Sequence, residues 1–139
     1  GLAQADICVC AMDLTDSNIG YFNEDRLREA KKGMLFVNIS RGELSHSTVL
    51  LGLLEEGQLG GVALDVYEEE KALAGVLREG IPSDHAEVQA TLALSRHERG
   101  ICTPHNAFNS IEGVDRKASQ SVEQIDAFLK NNKFIWAAP

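Results

Sequence analysis

One stretch constrains the fold of this chain more than any other: an apolar run from Met34 to Ile39, followed directly by Ser40, Arg41 and Gly42. Only Asn38 interrupts the run, and such near-continuous hydrophobicity is typical of a strand buried on both faces of a sheet. The arginine stands where this strand would leave the core. We therefore expect a buried strand that delivers a fixed positive charge to a crevice.

The rest of the chain alternates between strand-length apolar runs and segments with the spacing of amphipathic helices. Further strands are predicted at Asp6–Met12, Gly60–Tyr67 and Gly100–Thr103. Helices are predicted at 24–31, from a serine cap (Ser45 or Ser47) to Gly57, and at 72–78, 84–94 and 110–131. Because parallel strands need long crossover connections, which are usually helices, the alternation predicts an α/β fold with a parallel sheet and right-handed crossovers.

Charge and hydropathy exclude several classes of function. The net charge of −8 argues against nucleic acid as a partner, since nucleic-acid binding needs a basic patch, and against anionic membrane surfaces. The apolar stretches are only strand-sized, so none is predicted to span a bilayer, and no basic region followed by an apolar one marks a secretory signal. We expect a cytoplasmic protein without membrane contacts.

Cysteine and glycine patterns exclude two common kinds of site. Cys8, Cys10 and Cys102 are interpreted as small buried hydrophobic residues in a reducing compartment. Cys-x-Cys is not a usual zinc spacing, and no metal site is predicted. The chain also lacks the Gly-x-Gly-x-x-Gly fingerprint of a dinucleotide-binding turn. Gly57, Gly60 and Gly61 do not fit it, and they follow a helix rather than a strand.

Polar and charged side chains follow each predicted strand. In open parallel sheets, ligands bind beyond the carboxyl ends of the strands. A histidine beside a carboxylate is a tunable acid or base, and the planar guanidinium of an arginine matches a carboxylate. The combination therefore suits a substrate that has a carboxylate and a group that gains or loses a proton. The four strand ends carry Met12 with Asp13, Ser40 with Arg41, Asp65 to Glu70, and Pro104 with His105.

Each of these residues also has a purely structural interpretation. Arg41 could brace a loop, Asp65 could cap a turn, and His105 could be a packed histidine bonded to the backbone. The acids Glu68–Glu70 could form a solvated turn. The convergence of all four features at one edge favours a site over coincidence. The other histidines and the nearby tyrosine are interpreted as surface and packing residues: His46, His85, His97 and Tyr67.

Three blocks of residues resemble the D-isomer-specific 2-hydroxyacid dehydrogenase family. They occur in the family's order and with its spacing, at Asn38–Leu44, Ala63–Glu70 and Thr103–Phe108. The last block most resembles the D-lactate dehydrogenase branch. The resemblance covers essentially the whole chain, and it implies the second half of a doubly wound, Rossmann-type dinucleotide-binding domain followed by a long C-terminal helix.

The resemblance also implies roles for three side chains. Arg41 matches the family arginine that grips the substrate carboxylate and polarises the 2-keto oxygen. Glu70, five residues beyond Asp65, matches the acid that keeps the histidine charged, and His105 matches the acid/base that gives a proton to the keto oxygen. The implied cofactor is NAD, which carries the hydride. The implied substrate is a small 2-keto or D-2-hydroxy acid, such as pyruvate or D-lactate.

Contacts to the cofactor are implied for a second set of residues. Asp65 matches the acid near the nicotinamide amide. Family members commonly have proline where this chain has Asp13, and a carboxylate there would disfavour the 2′-phosphate of NADP if it points inward. NAD and NADP both stay open at this point. Backbone and side-chain contacts are implied for Met12, Asp13, Asn18, Ile39, Ser40 and Arg41.

The resemblance divides the chain near residue 108. Residues 1–108 are expected to form the second half of an NAD-binding domain, and residues 109–139 a helix and tail that in the family pack back on a substrate domain. Neither that substrate domain nor the first half of the dinucleotide domain has a counterpart in the sequence. We therefore expect part of an enzyme that is a homodimer when complete.

Three hypotheses about function stay open on the sequence. The first is an NAD-dependent D-2-hydroxyacid dehydrogenase. The second is a dinucleotide-sensing protein similar to the family's transcriptional corepressors, which retain the same three side chains. The third is a fragment with no activity of its own. We expect the isolated chain to bind NAD weakly and to have no turnover, because half of the cofactor cleft would be missing.

Overall fold

A computed structural model describes residues 1–136 and confirms the predicted α/β class. The last three residues of the predicted tail, 137–139, lie outside this described range. The chain divides into two compact units, Gly1–His105 and Asn106–Pro139. Its strands and helices are β1 (Ile7–Cys10), α1 (Glu24–Arg28), β2 (Met34–Asn38), α2 (Ser47–Glu55), β3 (Leu59–Leu64), α3 (Glu70–Glu79), α4 (Ala86–Arg96), β4 (Gly100–Cys102) and α5 (Ile111–Asn131).

The first unit contains a four-stranded parallel sheet whose strands lie side by side in chain order, β1-β2-β3-β4. The register places Cys10, Asn38, Leu64 and Cys102 in one row, each the last residue of its strand. Because the strands run in the same direction, all four carboxyl ends lie at one edge of the sheet. The predicted site residues follow that edge.

The core lies between one face of this sheet and the helices α1, α2 and α4. Phe36 at the centre of β2 and Leu27, Leu50 and Leu94 from the three helices are fully buried. Phe22 packs edge-on against Phe36, with ring centroids 5.0 Å apart. Full burial of one such side chain stabilises a fold by about 1.5–3 kcal/mol. The core therefore fixes β2 firmly, and with it the loop that follows.

The opposite face of the sheet is open in the described part of the chain. Ile7, Val9, Leu35 and Ile101 point to it and are between 43% and 64% exposed. The prediction that Met34–Ile39 is buried on both faces is therefore wrong here. The cause is topological, because right-handed crossovers that always step in one direction place their helices on the same face. The strand order does not reverse between β1 and β4.

The start of α2 also differs from the prediction. Its N-cap residue is His46, and neither Ser45 nor Ser47 caps the helix through its side chain. Instead Glu87, at the start of α4, accepts hydrogen bonds from the backbone N–H groups of Ser47 (2.6 Å) and Thr48 (3.4 Å). A carboxylate from a distant segment thus satisfies the free N–H groups and complements the positive end of the helix dipole.

The second unit consists mainly of α5, a helix of 21 residues. Ser110 caps it by accepting a hydrogen bond from the N–H of Gly113 (3.0 Å), and the predicted bounds are correct to within one residue. No helix within residues 1–136 combines the length and the apolar character needed to cross a membrane. The apolar side chains of α5 include several that are between 58% and 80% exposed: Ile111, Val122, Ile125 and Leu129.

Candidate functional site

The loop after β2 is folded around the side chain of Asn38. This side chain is completely buried, and its amide group donates to the carbonyl of Arg41 and to Oγ of Ser45, both at 2.8 Å. Its Oδ1 accepts a hydrogen bond from the N–H of Ser40 at 3.0 Å. The one polar residue of the apolar run is therefore the anchor that sets the backbone of Arg41. Its position inside the run was the only sequence signal for this role.

The same loop packs directly against the turn after β3. A Cβ placed on Gly42 would lie 2.0 Å from the carbonyl carbon of Tyr67 and 2.2 Å from the nitrogen of Glu68. Real Cβ atoms do not approach other atoms so closely, so only glycine allows this contact. The close approach connects the loop that carries Arg41 with the segment Glu68–Glu70, which we call the acidic turn.

Glu70 and His105 form a hydrogen-bonded pair. Oε1 of Glu70 lies 2.7 Å from Nδ1 of His105 and 3.3 Å from the backbone nitrogen of Tyr67. His105 has a left-handed backbone (φ 50°), and its N–H donates to the carbonyl of Thr103 at 3.0 Å. Histidine is among the residues that accept this conformation most often. Because Nδ1 faces the carboxylate, Nε2 is the ring nitrogen that remains for a ligand.

Tyr67 and Thr103 connect the end of β3 to the end of β4. The hydroxyl of Tyr67 lies 2.7 Å from the carbonyl oxygen of Thr103 and 3.0 Å from that of Leu64. Burial raises the pKa of the Tyr67 phenol, so it remains a protonated donor. Oγ1 of Thr103 donates to Oδ1 of Asp65 at 2.6 Å, and Asp65 is only 4% exposed. These bonds hold the backbone next to His105 close to the acidic turn.

Arg41, Glu70 and His105 line one cavity of about 380 Å³. The guanidinium of Arg41 donates to the carbonyl of Ser40 at 2.8 Å and forms no ion pair within residues 1–136. The side chains of Glu70 and His105 are 42% and 43% exposed. The structure thus brings the three predicted side chains to one opening: a cation suited to a carboxylate, and an imidazole whose orientation is held by a carboxylate.

The predicted cofactor residues lie at the ends of β1, β2 and β3. Ser40 donates from its hydroxyl to the carbonyl of Met12, and the N–H of Ile39 donates to the carbonyl of Cys10 at 3.3 Å. The side chain of Asn18 donates to the carbonyl of Asp13 and accepts from the N–H of Thr15, both at 2.8 Å. Asn18 therefore folds its own loop, while Ile39, at 45% exposure, presents apolar surface at the edge.

His46 is not the surface residue that the sequence predicted. It is half-buried, and its Nδ1 lies 2.7 Å from Oε2 of Glu68. Together with Glu87, these residues could offer three ligand atoms within 4.8 Å of one another to an ion. All three already have protein partners, since Glu87 binds the start of α2 as described above. The partner of His46 lies 22 residues away in the chain, so local sequence context could not show it.

The three cysteines are free thiols. Burial raises the pKa of Cys8, Cys10 and Cys102, which keeps them in the unreactive thiol form at neutral pH. This agrees with their interpretation as small packing residues.

Comparison with known sequences places this geometry in context. Residues 1–107 match the family described as "D-isomer specific 2-hydroxyacid dehydrogenase, NAD binding domain". 2-Hydroxyacid dehydrogenase A of Aspergillus oryzae is 49% identical over 132 residues, which cover 92% of this chain and 36% of that protein. A glyoxylate reductase of Thermofilum pendens is 30% identical over 129 residues, covering 93% of this chain and 33% of that protein.

Solved structures show the same fold. The D-lactate dehydrogenase of Aquifex aeolicus, crystallised with NAD and lactic acid, has a TM-score of 0.81 at 24% identity, over 99% of this chain and 43% of that one. The pyruvate reductase of Chlamydomonas reinhardtii has a TM-score of 0.81 at 27% identity, over 97% and 41%. This chain spans between 33% and 43% of the length of these four relatives. The resemblance seen in the sequence is confirmed: the chain belongs to the D-isomer-specific 2-hydroxyacid dehydrogenase family, and residues 1–107 belong to its NAD-binding domain.

Proposed function

We propose that this chain supplies the acid/base and the carboxylate-binding residue of an NAD-dependent D-2-hydroxyacid dehydrogenase. The reaction interconverts a small 2-keto acid and its D-2-hydroxy acid, with pyruvate and D-lactate as the leading pair. The observation that carries the proposal is the 2.7 Å contact between Glu70 and His105 on the wall of the cavity that Arg41 also lines. The names of the relatives, which include glyoxylate, pyruvate and lactate enzymes, support small acids of this class.

His105 moves the proton of the reaction. In keto-acid reduction, its imidazolium donates from Nε2 to the 2-keto oxygen, and the neutral ring takes the proton back in the reverse direction. The contact of Glu70 at Nδ1 fixes the orientation of the ring and leaves Nε2 to face the substrate. The hydride at C2 of the acid would be supplied or accepted by bound NAD(H).

Arg41 holds the substrate carboxylate. A guanidinium can donate two parallel hydrogen bonds to the two carboxylate oxygens, which fixes the plane of the substrate as well as its charge. Asn38 fixes the backbone of Arg41 by donating to the carbonyl of Arg41, while the side chain of Arg41 lines the cavity. The positive charge of Arg41 near the 2-keto oxygen also stabilises the negative charge that develops there during reduction.

The residues at the strand ends fit NAD. The exposed side chain of Ile39 offers apolar surface to a nicotinamide ring. Asp65 is buried and accepts a hydrogen bond from Thr103, so its contact with the carboxamide is assigned on the family resemblance alone. We assign the loop contacts to Met12, Asp13 and Asn18, and further contacts to Ser40 and Arg41. Residues 1–108 then form the second half of the NAD-binding domain and residues 109–139 the helix and tail next to a substrate domain, in an enzyme that is a homodimer and acts in the cytoplasm.

The test is an assay of the enzyme that contains this chain together with a substrate domain. NADH oxidation should depend on added pyruvate or glyoxylate, and pyruvate should give D-lactate rather than the L isomer. His105→Gln should abolish the reaction, whereas His97→Gln, a histidine of the same unit outside the cavity, should retain it. Formation of L-lactate would contradict the proposal. NADH binding without turnover on any 2-keto acid would favour the dinucleotide sensor instead.

A further inference from the structure

The acidic turn is held by histidines. Glu68 faces His46 at 2.7 Å, Glu69 faces His85 at 4.0 Å, and Glu70 faces His105 at 2.7 Å. Within residues 1–136, none of these three glutamates forms an ion pair with a lysine or an arginine. Three consecutive acids are thus each matched to an imidazole from a different part of the chain.

Of the two contacts that do not involve His105, the one between His46 and Glu68 is shorter and more buried than the one between His85 and Glu69. The side chains of His46 and Glu68 are only 32% and 29% exposed, whereas those of His85 and Glu69 are 61% and 39% exposed. Nε2 of His46 also lies against the loop before α1, since a Cβ on Gly20 would be 3.3 Å from it. The side chain of His46 is therefore packed between that loop and Glu68.

The path from His46 to Glu70 is short. Glu68 shares a peptide bond with Tyr67, and this peptide is the one packed against Gly42. The N–H of Tyr67 in turn donates to Oε1 of Glu70, the same oxygen that faces His105. A shift of Glu68 therefore moves the donor that helps to hold the carboxylate of Glu70.

We propose that His46 is a positioning residue for the Glu70–His105 pair: by binding Glu68, it anchors the acidic turn in the place where Glu70 meets His105. The inference rests on the proposed function, because it gives His46 a role in the same proton transfer. His46 acts through Glu68 and touches neither substrate nor cofactor.

The test compares two substitutions that differ in one hydrogen bond. His46→Leu removes the donor to Glu68, whereas the amide nitrogen of His46→Asn can take the place of Nδ1. In the enzyme that contains this chain, His46→Leu should lower kcat for keto-acid reduction about tenfold with little change in KM, since a displaced catalytic group affects the reacting state most. His46→Asn should restore most of the loss.

A second readout does not depend on turnover. NMR of the ¹⁵N-labelled imidazole reports which nitrogen of His105 carries the proton when the ring is neutral. The wild type should show Nδ1–H, directed at Glu70, and His46→Leu should show a mixture of both tautomers. Glu68→Ala should have the same effect as His46→Leu. The double substitution should add little to either single one, because each removes the same contact between His46 and Glu68.

Thr48→Val serves as the matched control. It lies two residues further along and removes a contact with Glu87 rather than with Glu68, so kcat and the His105 signals should stay as in the wild type. The inference is overturned if His46→Leu leaves both readouts unchanged, or if His46→Asn is as impaired as His46→Leu. The wild type could also lack keto-acid turnover while His46→Leu still changes the tautomer of His105. That result would reject the proposed function, but it would leave the positioning role of His46 standing.

Discussion

At the scale of single residues, the chemistry depends on which nitrogen of His105 stays open. Nδ1 faces Glu70 at 2.7 Å, so only Nε2 can meet a substrate. The carboxylate fixes the ring in this orientation, and Arg41 on the same cavity provides the complementary site for an anion. An imidazole that can transfer a proton and a cation that can bind a carboxylate thus line one cavity, as reduction of a 2-keto acid requires.

Replacement of Arg41 tests the carboxylate site. Arg41→Lys keeps the charge but loses the fork of donors, so kcat/KM for pyruvate should fall about 10²-fold. Lys71→Arg, which alters a second cation lining the same cavity, is the control and should change kcat/KM little. Steady-state kinetics of the complete enzyme gives the answer, and an unchanged kcat/KM in Arg41→Lys would remove this residue from the site.

The sequence predicted the residues of the cavity better than the residues that hold them. Arg41, Glu70 and His105 follow strands, and parallel strands end at one edge, so their meeting could be inferred. The supporting contacts of His46 and Tyr67 could not, because their partners lie 22 and 36 residues away. Such pairs depend on the register of the sheet, which the sequence pattern alone does not show.

At the scale of elements, the site depends on two close-packed segments: the loop after β2 and the turn after β3. They meet at Gly42, where there is no space for a side chain. The loop is in turn folded around Asn38, whose side chain is buried with all three of its bonds made inside the loop. The relative position of Arg41 and Glu70 therefore follows from backbone packing rather than from a direct contact.

Gly42→Ala should strongly destabilise the fold. The added Cβ would lie 2.0 Å from a backbone atom of Tyr67, and the forced separation should cost about 1–3 kcal/mol of unfolding free energy. Gly52→Ala, in the middle of α2 with nothing within 4 Å of the new Cβ, should instead stabilise by about 0.5–1 kcal/mol. Urea denaturation of both variants tests this, and equal effects would show that the close approach is not a constraint.

Asn38→Ala should unfold at lower urea concentration than the wild type. It leaves the N–H of Ser40 and the carbonyl of Arg41 without their partner, at a cost of about 1–3 kcal/mol. Asn131→Ala, exposed at the end of α5, is the control and should change stability by less than about 0.5 kcal/mol. If both variants unfold at the same urea concentration, Asn38 is not the anchor of the loop.

The order and type of the strands and helices could be predicted from the sequence, whereas the exposure of one face of the sheet could not. Alternating strands and helices gave the parallel sheet, and the spacing in α5 gave its bounds to within one residue. The apolar run at Met34–Ile39 indicated burial on both faces, yet Leu35 is 43% exposed in the described chain. Burial on the second face needs elements that pack on it, and hydrophobicity within one strand does not show where those elements lie in the chain.

At the scale of the whole molecule, the chain spans between 33% and 43% of the length of the four relatives compared above, and it consists of two compact units. We predict that the isolated chain binds NADH far more weakly than the complete enzyme and shows no turnover, because it supplies only part of the cofactor cleft. Isothermal titration calorimetry and a pyruvate assay on the chain check this. Turnover by the isolated chain would contradict it.

The pairing of Glu70 with His105 is best tested in the assembled enzyme. The decisive measurement is kcat for keto-acid reduction in the wild type and in Glu70→Gln, with Glu69→Gln as the neighbouring control. Glu70→Gln replaces the charged acceptor of the 2.7 Å contact with a neutral amide and so loosens the ring that donates the proton. We expect kcat to fall about 10²-fold, because a positioned acid/base contributes at least that much. Glu69→Gln should stay close to the wild type, since Glu69 faces the exposed His85 at 4.0 Å. A Glu70→Gln enzyme with the kcat of the wild type would contradict the claim that this carboxylate positions His105 for proton transfer.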